Sequence, residues 1–304
     1  MVRTLLIRAS ESEALRRQIV SRRLTREIAM RFVAGDTLDE GMAVSRQLAA
    51  TGKTVTLDYL GESVTDETEA RGAAKAYLEA IARLAEEALP AGVSVKPTQM
   101  GLGFDDDLCM ELLSEIAAAA ASRTEHVTLD MEGSDVTEAT VALVERLQAA
   151  GHGLVGCAVQ SYLHRTADDV VRLTAAGASL RLCKGAYAEP AQVAYQSRRQ
   201  VDASYARCAD YLLQAGTYPR FATHDDRLIR HICGRARVHG REPAQFEFQM
   251  LYGVRSQLQD ELVADGYRVR VYVPYGDQWY PYFMRRLAER PANVVFFLRA
   301  LVGS

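Results

Sequence analysis

Residues 127–184 read VTLDMEGSDVTEATVALVERLQAAGHGLVGCAVQSYLHRTADDVVRLTAAGASLRLCK, and they alternate between two local patterns. Short runs rich in β-branched and other apolar residues are separated by longer amphipathic stretches with apolar side chains at helical spacing. The runs lie at 127–131, 154–160 and 180–184, and the amphipathic stretches lie at 137–150 and 167–176. Strands that alternate with helices pair in parallel, because each helix carries the chain back to the start of the next strand. The segment therefore predicts an α/β fold.

The same alternation continues on both sides of this segment. Further strands are predicted at 55–60, 93–97, 221–224, 246–251 and 269–273, and further helices at 69–88, 108–121, 192–215, 227–238 and 255–264. Ala-Gly or Ala-x-Gly sequences typical of helix C-caps precede five strands, at Gly52, Gly151, Gly177, Gly216 and Gly266. Eight units in about 250 residues match a (βα)8 TIM-type barrel. An open doubly wound sheet is the alternative, but the number and regularity of the units favour a closed barrel.

The two ends of the chain have different patterns. Residues 1–36 are Arg-rich and helical in spacing, so they predict an N-terminal helical arm, and residues 37–304 form the barrel domain with a C-terminal helix.

The G-x-G-x-x-G spacing at 151–156 follows a helix and leads into a strand. A dinucleotide-binding motif follows a strand and opens a helix. We therefore interpret residues 151–156 as a turn.

Composition excludes several classes of protein. The chain has 304 residues, 48% of them hydrophobic and 25% charged, with a net charge of −3 and no basic block, which argues against nucleic acid as a partner. Its five cysteines are widely spaced without a C-x-x-C pair, so they predict neither disulfides nor a zinc site. No signal peptide or membrane span is recognised, and a reducing cytoplasm is expected.

Polar side chains follow seven successive predicted strands. In strand order they are Lys96, then Asp130 and Glu132, Gln160, then Arg181, Lys184 and Tyr187, then Thr223 and His224, Gln249, and Tyr272. In a (βα)8 barrel the C-terminal ends of the strands carry the chemistry. Because such a concentration of ionisable groups is costly to desolvate without partners, it predicts a functional site at the barrel mouth.

The predicted C-terminal helix at 278–289 carries an unusual face. Tyr282, Arg285, Arg286 and Glu289 stand at i, i+3, i+4 and i+7, the spacing that normally carries an apolar stripe. Neighbouring guanidiniums can close on a carboxylate from two sides. For an isolated helix, a solvated face of paired charges is the simpler interpretation. The predicted helix at 278–289 follows the eighth strand, however, and this place in the chain favours the binding of an anion.

The polar groups divide by the ligand that each would suit. Lys96, Arg285 and Arg286 suit a small anionic substrate. Gln160, Arg181, Lys184, Thr223 and His224 suit a polar heterocycle that carries phosphates. A metal-binding role for His224 is disfavoured, because no His-x-His or HExxH pattern accompanies it. Asp130 is expected to hold Lys96 charged and in place, and an ordinary buried ion pair would have the same geometry.

Seven motifs in this order resemble the proline dehydrogenase family, in its short monofunctional bacterial form without an appended aldehyde dehydrogenase region. The motifs are VKPTQ at 95–99, LDME at 129–132, RLCKGAY at 181–187, FATHD at 221–225, FEFQML at 246–251, YVP at 272–274 and YFMRRLAE at 282–289. The resemblance implies a distorted (βα)8 barrel with non-covalent FAD at its mouth. It also implies oxidation of L-proline to Δ1-pyrroline-5-carboxylate, the first step of proline catabolism to glutamate, with electrons passed from flavin N5 to a membrane quinone.

The resemblance assigns roles residue by residue. Arg285, Arg286 and Lys96 would bind the substrate carboxylate, Asp130 would position Lys96, and Leu251, Tyr272 and Tyr282 would wall the pyrrolidine ring. Arg181 would lie at flavin N5, and FAD would be held by the Met131 backbone, Gln160, Lys184, Gly185, Ala186, Thr223 and His224. Tyr187 would help close the site and Glu289 would pair with the arginines. Relatives that prefer 4-hydroxyproline carry Ser where Tyr272 stands, so proline is predicted as the substrate.

Two other functions compete with this prediction. A Schiff-base lyase on the same fold would use Lys96 or Lys184 as its nucleophile. An interaction module would use the apolar tail at 294–298 with Leu301, which is too short to span a membrane. Packing of this tail on the barrel is favoured over peripheral contact with the inner face of the cell membrane. Hand-over of the product to a separate pyrroline-5-carboxylate dehydrogenase is the remaining partner prediction.

Overall fold

A computed structural model describes residues 23–62, 64–121, 123–124 and 126–289, except the side chains of Arg23, Leu24, Ala288 and Glu289. The predictions for residues 1–22 and for the apolar tail at 294–298 therefore lie outside the described residues. Within the described part of the chain, no helix has the length and apolar composition needed to cross a membrane.

Eight parallel strands close into one barrel in sequence order. The strands are β1 (Thr54–Tyr59), β2 (Ala91–Val95), β3 (Val127–Leu129), β4 (Val155–Gln160), β5 (Leu180–Cys183), β6 (Arg220–Ala222), β7 (Glu247–Leu251) and β8 (Arg268–Tyr275). Closure is made by β1 and β8, which pair in parallel over six residues from Thr54↔Arg270 to Tyr59↔Tyr275. The predicted (βα)8 barrel is confirmed, and the open doubly wound sheet is excluded.

Helices surround the barrel and flank its ends. They are α1 (Arg23–Ala29), α2 (Leu38–Ala49), α3 (Glu67–Glu86), α4 (Asp106–Ala120), α5 (Thr137–Ala149), α6 (Thr166–Ala175), α7 (Arg198–Ala215), α8 (Asp226–Val238), α9 (Ser256–Ala264) and α10 (Trp279–Glu289). Side chains at the N-termini specify several starts: Thr37 and Glu40 form a capping box on α2, and Asp66 caps α3. The turn predicted at 151–156 is confirmed for residues 151–154, where Gly151 has a φ of +90°, but residues 155–156 already belong to β4, which begins at Val155.

Two local predictions were wrong. The helix expected from residue 192 begins at Arg198, because the Ser197 hydroxyl caps it by accepting a hydrogen bond from the Gln200 amide. The preceding residues form a loop instead, in which Ala194 makes an isolated bridge to Leu163. Gly216 does follow α7, but its φ of −68° is not the left-handed conformation expected of a C-cap glycine.

The interior of the barrel is polar, although the strand bodies were expected to be apolar. Ser94 of β2 bonds Arg181 of β5, and Thr128 of β3 bonds Arg220 of β6. These strands are not neighbours in the sheet, so the contacts cross the interior of the barrel. Apolar strand residues belong to the large core cluster that also includes the helices. The alternation of side chains along each strand therefore packs apolar groups against the helices and polar groups inside.

A second apolar cluster holds α10 next to the barrel mouth. It contains Ile28 and Phe32 near α1, Leu60 after β1, and Trp279 and Phe283 of α10. Trp279 and Phe283 also make an edge-to-face aromatic contact with centroids 6.1 Å apart. This packing on one face of α10 places Arg285, on another face, beside the loop that follows β1.

Candidate active site at the barrel mouth

Lys96, directly after β2, is held by two carboxylates in the mouth of the barrel. Its Nζ donates to Asp58 Oδ1 at 2.6 Å, and Asp130 Oδ2 lies 3.8 Å away. Both Lys96 and Asp58 are almost completely buried. Burial alone would lower the pKa of Lys96, but the charges of Asp58 and Asp130 outweigh it, so the pKa is raised. Lys96 is therefore a fixed cation, and Asp58 rather than Asp130 is its closer partner.

Asp130, after β3, connects Lys96 to Arg181 of β5. Arg181 Nη1 donates to Asp130 Oδ1 at 2.7 Å, and Ser94 Oγ donates to the same oxygen at 2.7 Å. The Tyr272 hydroxyl donates to Asp130 Oδ2 at 2.8 Å. Burial would raise the pKa of Asp130, but Arg181 and Lys96 outweigh it and lower the pKa. Asp130 is an ionised carboxylate at the centre of this network.

Arg285 of α10 forms an ion pair across the mouth with Glu62, in the loop after β1. Arg285 Nη1 donates to Glu62 Oε1 at 2.9 Å, and the guanidinium lies 5.6 Å from the centre of the Tyr187 ring. Burial would raise the pKa of Glu62, but the Arg285 guanidinium lowers it below its usual range. Glu62, Lys96, Tyr282 and Arg285 line a cavity of about 10 Å³, together with Leu60, Gly61, Gln278 and Pro281. That volume holds about one water molecule, and the Glu62 carboxylate pairs with one of the two cations that line it.

Aromatic side chains surround these charges. The Arg286 guanidinium lies 5.0 Å from the centre of the Tyr282 ring, and that of Arg181 lies 5.3 Å from the centre of the Tyr272 ring. Leu251 and Tyr272 pack against the cluster that contains Tyr282. The Glu289 side chain lies outside the described residues. The acidic partner that the structure gives Arg285 is therefore Glu62, a residue that the sequence analysis did not select.

The predicted cofactor residues on β4 and after β5 are joined by hydrogen bonds. The buried Gln160 donates from Nε2 to the Glu132 carbonyl at 2.8 Å and accepts at Oε1 from the Ala186 amide at 3.3 Å. Met131 is buried beside them. The Glu132 carboxylate accepts bonds from the Thr98 amide and hydroxyl, and burial raises its pKa to about 6. The ends of β2, β3, β4 and the chain after β5 thus form one bonded rim.

Gly185, after β5, could not be replaced by a larger residue unless the turn or the Tyr162 ring moved. Its φ is +118°, and a Cβ built on it would lie 2.2 Å from the Tyr162 ring. The preceding Lys184 pairs with Asp202 at 2.6 Å and with Asp225 at 3.3 Å. This turn therefore brings backbone and a cation together at the rim. Such a combination is suited to phosphate oxygens.

Thr223 and His224 follow β6. The Thr223 hydroxyl accepts a hydrogen bond from the Asp225 amide at 3.1 Å. His224 Nε2 accepts from the Leu251 amide at 3.0 Å, and the His224 carbonyl accepts from Arg255 at 2.7 Å. His224 thereby joins the β6 and β7 ends. In the described part of the chain, no group of three or more His, Cys, Asp or Glu side chains could hold a metal ion.

Asp58 and Glu62 were not predicted from the sequence, because the polar groups recognised at the strand ends begin with the second strand. Asp58 stands in β1, and Glu62 lies three residues beyond its end. An acidic residue at the C-terminal end of a strand was the signal used for Asp130 after β3. Applied to the first strand, the same criterion would have found Asp58.

Comparisons with known proteins all identify the same family, the proline dehydrogenases. A family model described as proline dehydrogenase matches residues 42–299. Proline dehydrogenase 1 of Bacillus subtilis strain 168 is 40% identical over 278 residues, 91% of this chain and 92% of the relative. The proline dehydrogenase of Deinococcus radiodurans is 38% identical over 283 residues, 90% of each chain.

A solved structure extends the comparison to the fold. Proline utilization A (PutA) of Bdellovibrio bacteriovorus, inactivated by N-propargylglycine, superposes with a TM-score of 0.81 at 28% identity. The match covers 87% of this chain and 33% of the other, so this chain spans about a third of that protein.

Proposed function

The chain belongs to the proline dehydrogenase family and shares its activity in proline catabolism, and from that premise we propose that it oxidises L-proline to Δ1-pyrroline-5-carboxylate with non-covalent FAD. The observation that carries the proposal is the meeting of Lys96 and Arg285 around one small cavity. Two buried cations from different elements of the fold line this cavity, and their charge suits the binding of a small carboxylate. Arg286, beside Arg285 on α10, supplies a third cation.

Proline would bind by replacing Glu62. The Glu62 carboxylate already accepts from Arg285 and lines the same cavity as Lys96, so an α-carboxylate could take its place on Arg285 and also face Lys96. Leu251, Tyr272 and Tyr282 would then pack against the ring. Because the reaction removes a hydride from the ring carbon beside nitrogen and a proton from the amine, precise positioning contributes most of the catalysis.

The residues at the rim fit a flavin dinucleotide. Arg181 Nη2 is buried and has no hydrogen-bond partner among the described residues, so it can donate to a polar heterocycle. Lys184 and the Gly185 turn suit phosphate oxygens, and Gln160, Thr223 and His224 complete the set. When bound, FAD would supply a hydride acceptor at N5. Arg181 would donate to that region of the ring, and Asp130 would keep Arg181 and Lys96 oriented.

The Schiff-base lyase is disfavoured by the charge of Lys96. A nucleophilic lysine needs a lowered pKa, whereas Asp58 and Asp130 raise that of Lys96. Lys184 is likewise paired with Asp202 and Asp225. Both lysines are better suited to binding anions than to forming a covalent bond with a carbonyl carbon.

An absorbance spectrum of the purified protein tests this proposal. We expect a flavin band that L-proline bleaches in the absence of air, with 4-hydroxyproline much less effective because the Tyr272 phenol fills the space. A flavin band unaffected by proline would contradict the substrate. A colourless protein that FAD cannot reconstitute would contradict the cofactor.

The electron acceptor and its location belong to the same proposal. A membrane quinone would receive the electrons, with the chain in the cytoplasm and in peripheral contact with the membrane, and a separate dehydrogenase would receive the product. Binding to vesicles of bacterial lipids, with and without residues 293–304, tests the membrane contact. Unchanged binding after truncation would exclude the tail as the contact.

A further inference from the structure

Arg181 is fixed by bonds at two of its three guanidinium nitrogens. Nη1 donates to Asp130 at 2.7 Å and to Ser94 at 3.0 Å, whereas Nε donates to Gln249 Oε1 at 2.6 Å. Nη2 is buried without a hydrogen-bond partner among the described residues. Because the guanidinium is planar, fixing Nη1 and Nε determines where Nη2 points.

The amide of Gln249 is held in one orientation by Glu247. Gln249 Nε2 donates to Glu247 Oε1 at 2.6 Å, while its Oε1 accepts from Arg181. A carboxylate that is ionised can only accept hydrogen bonds, so it requires the NH₂ group of the amide on its side. Burial would raise the pKa of Glu247, but Arg270 outweighs it, so the pKa is lowered and the group is ionised.

Arg270 of β8 anchors this arrangement at its far end. It donates from Nε to Glu247 Oε1 at 2.7 Å and from Nη1 to the Val55 carbonyl at 2.8 Å. Glu247, Gln249 and Arg270 are each at most 3% exposed. Buried hydrogen bonds alone therefore connect the backbone of β1 to Arg181. We call the four residues of this chain the barrel relay: Arg181, Gln249, Glu247 and Arg270.

We propose that Gln249 is a positioning residue that, backed by Glu247 and Arg270, orients Arg181 so that Nη2 faces the bound cofactor. This inference rests on the proposed function, which places Arg181 at the flavin. Without Gln249, Arg181 keeps its bonds through Nη1 but can rotate about that end. The positive charge next to the flavin would then be less well placed to stabilise the reduced ring.

Two substitutions separate orientation from packing. Gln249→Met fills a similar volume without polar atoms. Gln249→Glu keeps an oxygen that accepts from Arg181 Nε, but it can donate to Glu247 only when its carboxyl group is protonated. We expect Gln249→Met to lower kcat about 10- to 100-fold, the effect of losing a hydrogen bond to a charged group, with a smaller change in KM. We also expect its flavin reduction potential to become more negative. Gln249→Glu is expected to lie closer to the wild type in both measurements at low pH, where its protonated carboxyl group can donate to Glu247, and to move away from the wild type as the pH rises.

Thr56→Val is the matched control, because Thr56 is equally buried in the barrel interior and bonds His126 at 3.1 Å, outside the relay. It should leave kcat and the reduction potential unchanged. If Gln249→Met yields no folded barrel, Gln249→Asn replaces it, since the shorter amide withdraws its oxygen from Arg181 by about 1.5 Å. That variant should show the same loss.

The proposed function and the inference fail in different ways. If proline does not bleach the flavin of the wild type, the proposed function fails. If the wild type is bleached but Gln249→Met matches Thr56→Val in kcat and reduction potential, the positioning role is overturned. A better performance of Gln249→Met than of Gln249→Glu at low pH would also overturn it, because the protonated carboxyl group keeps both hydrogen bonds and packing alone would then be what the site requires.

Discussion

At the scale of single residues, two acidic residues in or just after β1 hold the cations of the barrel mouth. Asp58 holds Lys96, and Glu62 pairs with Arg285. The two pairs differ in exposure: the Asp58 side chain is fully buried, whereas that of Glu62 is 26% exposed. Asp58 is therefore the more firmly held partner, and Glu62 is the one that the proposed substrate would displace.

Replacing Glu62 by Gln should increase the apparent affinity for proline. The neutral amide competes less well for Arg285, so we expect KM to fall about three- to tenfold with little change in kcat, in line with a partly exposed pair. Steady-state kinetics over a range of proline concentrations measures this. Asp39→Asn is the control, because Asp39 pairs with Arg83 on the surface. An unchanged or higher KM in Glu62→Gln would show that Glu62 does not compete with the substrate.

Asp58→Asn should destabilise the barrel strongly. Lys96 would keep only Asp130, at 3.8 Å, so we expect the free energy of unfolding to fall by about 3–5 kcal/mol. The double variant Asp58→Asn/Lys96→Met removes both charges and should recover most of that loss while losing proline binding. Urea denaturation measures stability. A double variant no more stable than Asp58→Asn would mean that the unpaired lysine is not the cause.

At the level of elements, the turn after β5 combines a required backbone conformation with residues that we propose bind the cofactor. Gly185 is packed against the Tyr162 ring, and the Tyr162 amide donates to the Lys184 carbonyl at 3.0 Å. The loop from this turn to α7 is pinned to the α6 side by the Leu163↔Ala194 bridge. The shape of the turn is therefore determined by the residues after β4.

Gly185→Ala should weaken cofactor binding as well as stability. The added Cβ would meet the Tyr162 ring at 2.2 Å, so the turn must move. Gly177→Ala is the control: its φ is also positive, +87°, but its Cβ would meet only Gln148 Oε1, at 3.9 Å. We expect the control to cost about 1 kcal/mol and to retain flavin, and Gly185→Ala to cost more and lose it. Thermal melting and the flavin-to-protein absorbance ratio measure both. Equal effects would exclude the contact with Tyr162 as the cause.

For the whole molecule, the barrel interior has an unequal balance of charge. Within the eight strands, buried cations outnumber buried acids by three to two: Arg181, Arg220 and Arg270 against Asp58 and Glu247. Arg220 is bonded to Thr128 and the Ser179 carbonyl, and its Nε has no hydrogen-bond partner among the described residues. Burial, reinforced by repulsion from Arg181, lowers the pKa of Arg220 to about 9. Arg220 is thus the excess cation.

Arg220→Met and Glu247→Gln should have opposite effects on stability. Removing the excess cation should raise the free energy of unfolding by about 1–3 kcal/mol, whereas removing the acid leaves cations unbalanced and should lower it by about 3–5 kcal/mol. A base with a lowered folded pKa destabilises the fold at neutral pH and less so above pH 9, so the gap between Arg220→Met and wild type should narrow at pH 10. Urea denaturation at pH 7 and pH 10 tests this. A gap that widens would contradict it.

The sequence predicts the barrel well because its periodic pattern repeats eight times, so errors at single boundaries do not alter the architecture. It predicts single contacts less well. Asp58 and Asp130 are both strand-end acids, and only the geometry shows that Lys96 is closer to Asp58. The loop before α7 was predicted as helix because the apolar spacing begins before Ser197. The Ser197 cap, however, determines where α7 starts. Polar pairing across the interior joins strands distant in sequence, which no local pattern reveals.

The Glu62–Arg285 pair also has a consequence for selectivity. A carboxylate attached to the protein competes at a fixed effective concentration with every carboxylate ligand. It therefore lowers the apparent affinity for each of them by the same factor, and that factor cancels from the ratio of any two affinities. With proline bound as proposed, Glu62 would set the range of amino-acid concentration over which the enzyme responds. The choice among amino acids is left to the walls formed by Leu251, Tyr272 and Tyr282, so Glu62 variants should change the threshold and preserve the ranking.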